Sequence, residues 1–258
     1  MMPWFRRFAP DPDPPVRLLC FPHAGGAASA YRGLSALRPG GAEVLAVQYP
    51  GRQDRFAEPC LESIGALADA VHAALAPDQT ATPLALFGHS MGALVAYEVA
   101  RRIEHGGGTV EVLAVSGRVG PGVRPEAGAD GERRLEEAEL IEEVRALGGV
   151  SDELLDDRDL LQLALPALRA DFHAVRTYRG PSGPLLRCPV VAVKGAEDPR
   201  VTTAGATAWR SSTSGPFALR TLPGGHFYRT GQLDEVGGVL TEVLGPPTRR
   251  PQRIGQVT

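Results

Sequence analysis

Across its 258 residues this sequence is poor in several things, and each shortage removes a class of function. It lacks any run of about 18 apolar residues, the length a helix needs to cross a bilayer. The start, Met1–Pro15, has Arg6, Arg7 and several prolines but no apolar core of a secretory signal, so a cytoplasmic location is the expectation. Its three cysteines, Cys20, Cys60 and Cys188, are odd in number, far apart and without a C-x-x-C pair. That pattern argues against a disulfide framework or a thiolate zinc site, and small reduced core residues are expected instead. The histidines show no metal-ligand spacing, so no metal is expected. A formal net charge of −3 provides no basic field for holding phosphates, which argues against nucleic acid as a partner. Lysine is almost missing: of 27 basic residues only Lys194 is one, and no mechanism follows from it.

What is present suffices for folding. With 43% hydrophobic and 22% charged residues, a chain of this length is expected to form one large α/β domain, burying about 70–75% of its unfolded surface. Short aliphatic runs at Val16–Phe21, Val44–Tyr49, Leu84–Phe87, Val110–Val115, Val190–Val193 and Ala218–Leu222 read as buried strands of a mostly parallel sheet. Helical patterns lie between them at Ser29–Leu37, Leu61–Leu75, Gly92–His105, Thr203–Ser212 and Gln232–Leu244. This alternation predicts a doubly wound α/β fold.

One stretch interrupts the alternation. From about 121 to 178 only helical periodicity appears, as in Leu135, Leu140, Ile141, Val144 and Leu147, and it reads as a helical lid insertion. Within it Ser151 is expected to cap a helix and Pro166 to divide the helices that follow. Asp130–Asp159 holds 12 acidic and 4 basic residues, a local charge of −8, against +5 for the remainder. The end, about 246–258, reads as a flexible tail.

Gly88-His89-Ser90-Met91-Gly92 matches G-x-S-x-G, a weak signal alone that gains weight from its setting. An apolar run precedes Ser90 and a helical pattern follows it, the strand-turn-helix context of a nucleophile elbow. A serine hydroxyl needs a base to take its proton, and the base needs a third group to fix its tautomer. Two later loops supply them: Asp198 before Pro199, with Glu197 as rival acid, and His226 after Gly224-Gly225. His89 and His23 are the lesser histidines near these motifs; His72, His105 and His173 read as structural or solvated. Acyl transfer also needs two backbone N–H groups for its oxyanion. Met91, after the nucleophile, is one candidate; Ala24 is the favoured second, ahead of Gly25.

These residues together resemble the stand-alone type II thioesterases that accompany modular polyketide synthases and nonribosomal peptide synthetases. The resemblance runs nearly end to end. It rests on Trp4 with Arg6 and Arg7, Phe21 to Gly26, Tyr49-Pro50-Gly51-Arg52, Gly88 to Ala93, Leu165-Pro166 with Arg169-Ala170-Asp171-Phe172, Asp198-Pro199, and Gly224 to Phe227. Arg176 stands where the family often carries an acidic residue. The resemblance implies an α/β-hydrolase fold, a Ser90–Asp198–His226 triad, Ala24 and Met91 as oxyanion donors, and a lid over an acyl chamber, with Phe172 as a chamber wall. It also implies an editing hydrolase that clears acyl groups from the phosphopantetheine arm of acyl or peptidyl carrier proteins. No cofactor is implied, and a monomer is expected. The alternatives are a general serine esterase or acyl-coenzyme A thioesterase, and an acyltransferase using the same G-H-S-x-G turn.

Overall fold

A computed structural model describes residues 4–75, 82–123, 133–148, 157–180, 185–227 and 233–245. Seven described strands form one sheet: β1 (Phe5–Arg6), β2 (Arg17–Phe21), β3 (Glu43–Val47), β4 (Leu84–His89), β5 (Leu113–Ser116), β6 (Val190–Gly195) and β7 (Phe217–Leu222). Their spatial order is β1-β3-β2-β4-β5-β6-β7, with every pairing parallel except the edge pair β1–β3. The six runs read from the sequence all became strands. The two-residue β1 escaped notice because so short an edge strand carries no periodicity of its own.

Period-2 alternation along the strands splits the core between the two sheet faces. Leu19, Phe21, Leu45, Val47, Leu86 and Leu113 pack with the helices Ile64–Ala74 and Met91–His105. Leu18, Cys20, Val44, Ala46, Phe87 and Ala114 face the opposite way, toward Leu34 of the helix Arg32–Leu37 and Val236 and Leu240 of Leu233–Leu244. Burial on both faces explains why these strands read as continuous apolar runs. The helix Ile64–Ala74 begins three residues later than the expected Leu61, where the Ser63 hydroxyl caps it by accepting the Ala66 N–H at 3.1 Å.

Between β5 and β6 the chain leaves the sheet and forms the helices Glu137–Leu147 and Arg158–Thr177. They build a small core of their own from Leu140, Val144, Leu161, Leu165 and Leu168, with Phe172 packed against it. Pro166 does not divide the second helix, which runs unbroken over 20 residues. Proline there removes one backbone bond, to the carbonyl of Gln162. Pro166 and Gln162 both lie on the exposed face, where water can satisfy that carbonyl, while Leu161, Leu165 and Leu168 hold the helix together from the buried side. Ser151 and residues 246–258 lie outside the described residues. Among the described residues no helix is long and apolar enough to cross a membrane.

Candidate active site

The C-terminal ends of four parallel strands meet at one edge of the sheet, where ligands bind in open α/β folds. β4 delivers Ser90, β6 the loop with Asp198, β7 the loop with His226, and β2 the turn at Ala24. Ser90 takes φ 53° and ψ −115°, a conformation that L-residues rarely adopt. Its amide is tied to the Ser116 carbonyl at 2.8 Å. The glycines on either side have a steric reason: a Cβ on Gly88 would run into the Gly92 backbone, and one on Gly92 into the carbonyl of Phe21. The turn can be this tight only because neither has a side chain.

Ser90 Oγ lies 3.1 Å from His226 Nε2, and His226 Nδ1 lies 2.9 Å from Asp198 Oδ2. A carboxylate can only accept, so Nδ1 carries the proton toward Asp198 and the neutral ring leaves Nε2 free to accept from the serine hydroxyl. The other Asp198 oxygen, Oδ1, accepts the Arg200 N–H at 2.8 Å. Burial raises the Asp198 pKa, but the His226 hydrogen bond and charge, the Arg200 amide and Lys194 outweigh it and hold the carboxyl below its ordinary value. Glu197, the rival acid, is exposed and points no carboxylate into this relay. The structure thus brings together Ser90, Asp198 and His226, residues up to 136 apart in the chain.

His89 and His23 pack around the relay. His89 Nδ1 lies 3.0 Å from Ser116 Oγ, and its ring is 5.2 Å from that of His226. Burial, followed by the charges of His226 and His23, pushes its pKa well below the ordinary value. His23 stands edge-on to Phe227 at 4.7 Å, and burial lowers its pKa to about 4. Both rings are therefore neutral at pH 7, so the imidazole at His226 has no cationic histidine beside it.

Of the two oxyanion candidates in the early turn, Gly25 already donates its N–H to Asp171 Oδ2 at 2.7 Å. That leaves Ala24 as the candidate donor there. The Met91 side chain is fully buried in the core, and its amide opens the helix Met91–His105. Sequence reasoning named the motifs containing Arg52 and Asp171 but gave neither residue a role. The structure joins them: Arg52 Nη1 and Nη2 donate to Asp171 Oδ2 and Oδ1 at 2.7 and 3.0 Å, with both side chains buried. Phe172, the next residue, is half-buried against the insertion's own apolar cluster. Among the described residues no group of three or more His, Cys, Asp or Glu side chains is gathered as metal ligands would be.

A relay of hydroxyl, imidazole and carboxylate at a strained elbow defines a hydrolase of the α/β class. The chain belongs to the thioesterase family, whose domain model matches residues 16–243, and it is a hydrolase acting on thioesters. It is 46% identical to the thioesterase PikA5 of Streptomyces venezuelae, over 93% of this chain and 85% of that one. To a probable cadicidin biosynthesis thioesterase of Streptomyces griseus it is 42% identical, over 96% of this chain and 68% of the other. Among solved structures, the type II thioesterase BorB from the borrelidin biosynthetic cluster superposes with a TM-score of 0.82 at 43% identity, covering 94% of this chain and 98% of that one.

Proposed function

We propose that this chain is a stand-alone editing thioesterase, removing acyl groups from the phosphopantetheine arms of acyl or peptidyl carrier proteins by covalent catalysis at Ser90. The observation that carries the reading is the continuous relay from Ser90 Oγ through His226 to Asp198. His226 Nε2 takes the hydroxyl proton as Oγ attacks the thioester carbonyl, and returns it to the departing pantetheine sulfur. It then takes a proton from water, which attacks the acyl-serine, and the acid leaves as Oγ regains the proton. Asp198 fixes the tautomer and stabilises the imidazolium formed in each half-reaction. The Ala24 and Met91 amides receive the developing oxyanion. The helices Glu137–Leu147 and Arg158–Thr177 act as the lid of an acyl chamber that Phe172 helps to wall. The relatives' roles in cadicidin and borrelidin biosynthesis support carrier-bound rather than free acyl substrates.

The test sets acyl-carrier thioesters against the matching acyl-coenzyme A, with Ser90→Ala as control. Higher kcat/KM on the carrier at low salt, with an advantage that shrinks as salt rises, is the expected result. Loss of roughly 10⁴ to 10⁶ in kcat is expected for Ser90→Ala. Equal efficiency on both substrates at every ionic strength leaves a general thioesterase, and near-normal turnover by Ser90→Ala rejects the nucleophile.

A further inference from the structure

The longest insertion helix, Arg158–Thr177, is fastened to the turn that carries Ala24 by several contacts of different kinds. Asp171, fully buried, accepts the Gly25 N–H at 2.7 Å through the same Oδ2 that accepts Arg52 Nη1 at 2.7 Å. Arg52 Nη1 also donates to the Gly26 carbonyl at 3.1 Å, so it holds the next residue of the turn. Leu168, one helical turn before Asp171, lies directly over Gly25, leaving no space for a Cβ there. Gly25 itself has φ +73°, a conformation available at little strain only to glycine. The Arg52 guanidinium also lies over the ring of Tyr49, 5.2 Å from its centre.

The Gly25 amide belongs to the peptide plane that follows Ala24, immediately after the plane that carries the Ala24 N–H. Whatever holds Gly25 N–H therefore limits how the neighbouring amide can turn. A buried ion pair is weak evidence for stability, since apolar residues of similar volume often replace one without loss. They cannot replace an acceptor that aims a backbone amide.

We propose that Asp171 and Arg52 are positioning residues for the oxyanion site: together they hold the turn so that the Ala24 N–H meets the developing oxyanion. The inference rests on the reading of Ala24 as an oxyanion donor. Its consequence is that the site is complete only when the helix Arg158–Thr177 is seated, so seating of the lid and activation of the thioester carbonyl are one event.

The experiment replaces the pair by apolar residues, Arg52→Met with Asp171→Leu, and measures kcat and KM on an acyl-pantetheine thioester. Two probes accompany it: an alkylboronic acid, whose tetrahedral serine adduct places an anionic oxygen in the oxyanion site, and an amide analogue of the substrate that reports ground-state binding. The folded double variant is expected to lose about 10- to 100-fold in kcat, short of the 10²- to 10³-fold seen when a donor is deleted, with boronate affinity falling in parallel. KM and affinity for the amide analogue are expected to stay within about threefold, because uniform binding is untouched. A kcat within about threefold of the parent, or a loss matched by equally weakened amide binding, overturns the proposal. If the double variant does not fold, Asp171→Glu decides by the same readings, since it keeps a carboxylate opposite Arg52 but shifts the oxygen that accepts the Gly25 N–H. A parent enzyme that the boronic acid does not inhibit would indict the serine mechanism instead, and so separates that failure from this one.

Discussion

The helical insertion is tied to the sheet domain by arginine–carboxylate pairs in two contrasting settings. Arg52–Asp171 joins the helix Arg158–Thr177 to the turn that carries Ala24; its side chains are 7% and 0% exposed, and its contact is bidentate. Arg200–Glu143 joins the helix Glu137–Leu147 to the loop of Asp198; its side chains are 42% and 33% exposed, with one contact at 2.7 Å. Each connects the insertion to a different loop of the candidate site. The chemical groups are the same and the surroundings are not, so the comparison isolates what burial does. In water a pair gives back most of its Coulomb attraction to screening and to the entropy of two long side chains. Out of water, the pair becomes indispensable in the sense that neither member can be left alone.

The largest expected effect follows from that asymmetry. Asp171→Ala leaves the Arg52 guanidinium buried without its carboxylate and releases Gly25 N–H, and is expected to cost about 3–5 kcal/mol of stability. Urea unfolding at neutral pH measures it. A cost below about 1 kcal/mol, the size of an exposed pair, would erase the distinction between the two attachments.

Asp198 offers an intermediate case, a buried carboxylate paired with a histidine instead of an arginine. Its folded pKa lies below the ordinary 3.8, so the unfolded chain binds its proton first as the solution is acidified. The stabilisation is complete above that ordinary value and is lost as pH falls through the lower folded one. Asp198→Asn is therefore expected to be less stable than the parent at pH 7, with the gap narrowing below about pH 4. Thermal melts across that range check the sign. A gap that widens with acidification would mean that the carboxyl is not held ionised by its neighbours.

The same contrast explains what could be read in advance. Strands β2 to β6 were legible because burial on both faces writes them as aliphatic runs, the half-buried edge strand β7 was legible from Ala218, Leu219 and Leu222, and the motifs of Ser90, Asp198 and His226 were legible because each sits just past such a run. Asp198 was favoured over Glu197 in the sequence, but only coordinates show which carboxylate meets the His226 ring, since adjacent residues on a loop differ in the direction their side chains take. Arg52 and Asp171 lie 119 residues apart, and nothing in the spacing of two polar residues says that they meet. Pro166 misled for a related reason. Proline disfavours a helix interior locally, but the apolar stripe Leu161, Leu165 and Leu168 that overrides it pays off only once the insertion has its own core.

The smallest expected effect lies at the exposed attachment, where the charge of the insertion is also decided. The stretch Asp130–Asp159 counts −8 by itself, yet Glu143 pairs with Arg200 and Glu137 with Arg169, both arginines from outside it. Glu62, also from outside, offsets part of this by pairing with Arg134, and the field over these helices is thus somewhat weaker than the sequence count, though of the same sign. Removing one of these partners barely changes packing. Arg200→Ala is expected to cost less than about 1 kcal/mol of stability, and less still in high salt, where exposed charges are screened within roughly 8–10 Å. Its kinetic signature is more telling. Because Arg200 holds Asp198 through its backbone N–H at 2.8 Å and not through its guanidinium, kcat on a neutral acyl-pantetheine is expected to remain close to the parent's. On an acidic carrier, kcat/KM is expected to fall modestly at low salt, because Glu143 is unmasked and one cation is lost, and to recover as ionic strength rises. A stability loss as large as that of Asp171→Ala, or a kcat loss on the neutral substrate, would show that the exposed pair is no looser an attachment than the buried one and that its guanidinium also positions Asp198.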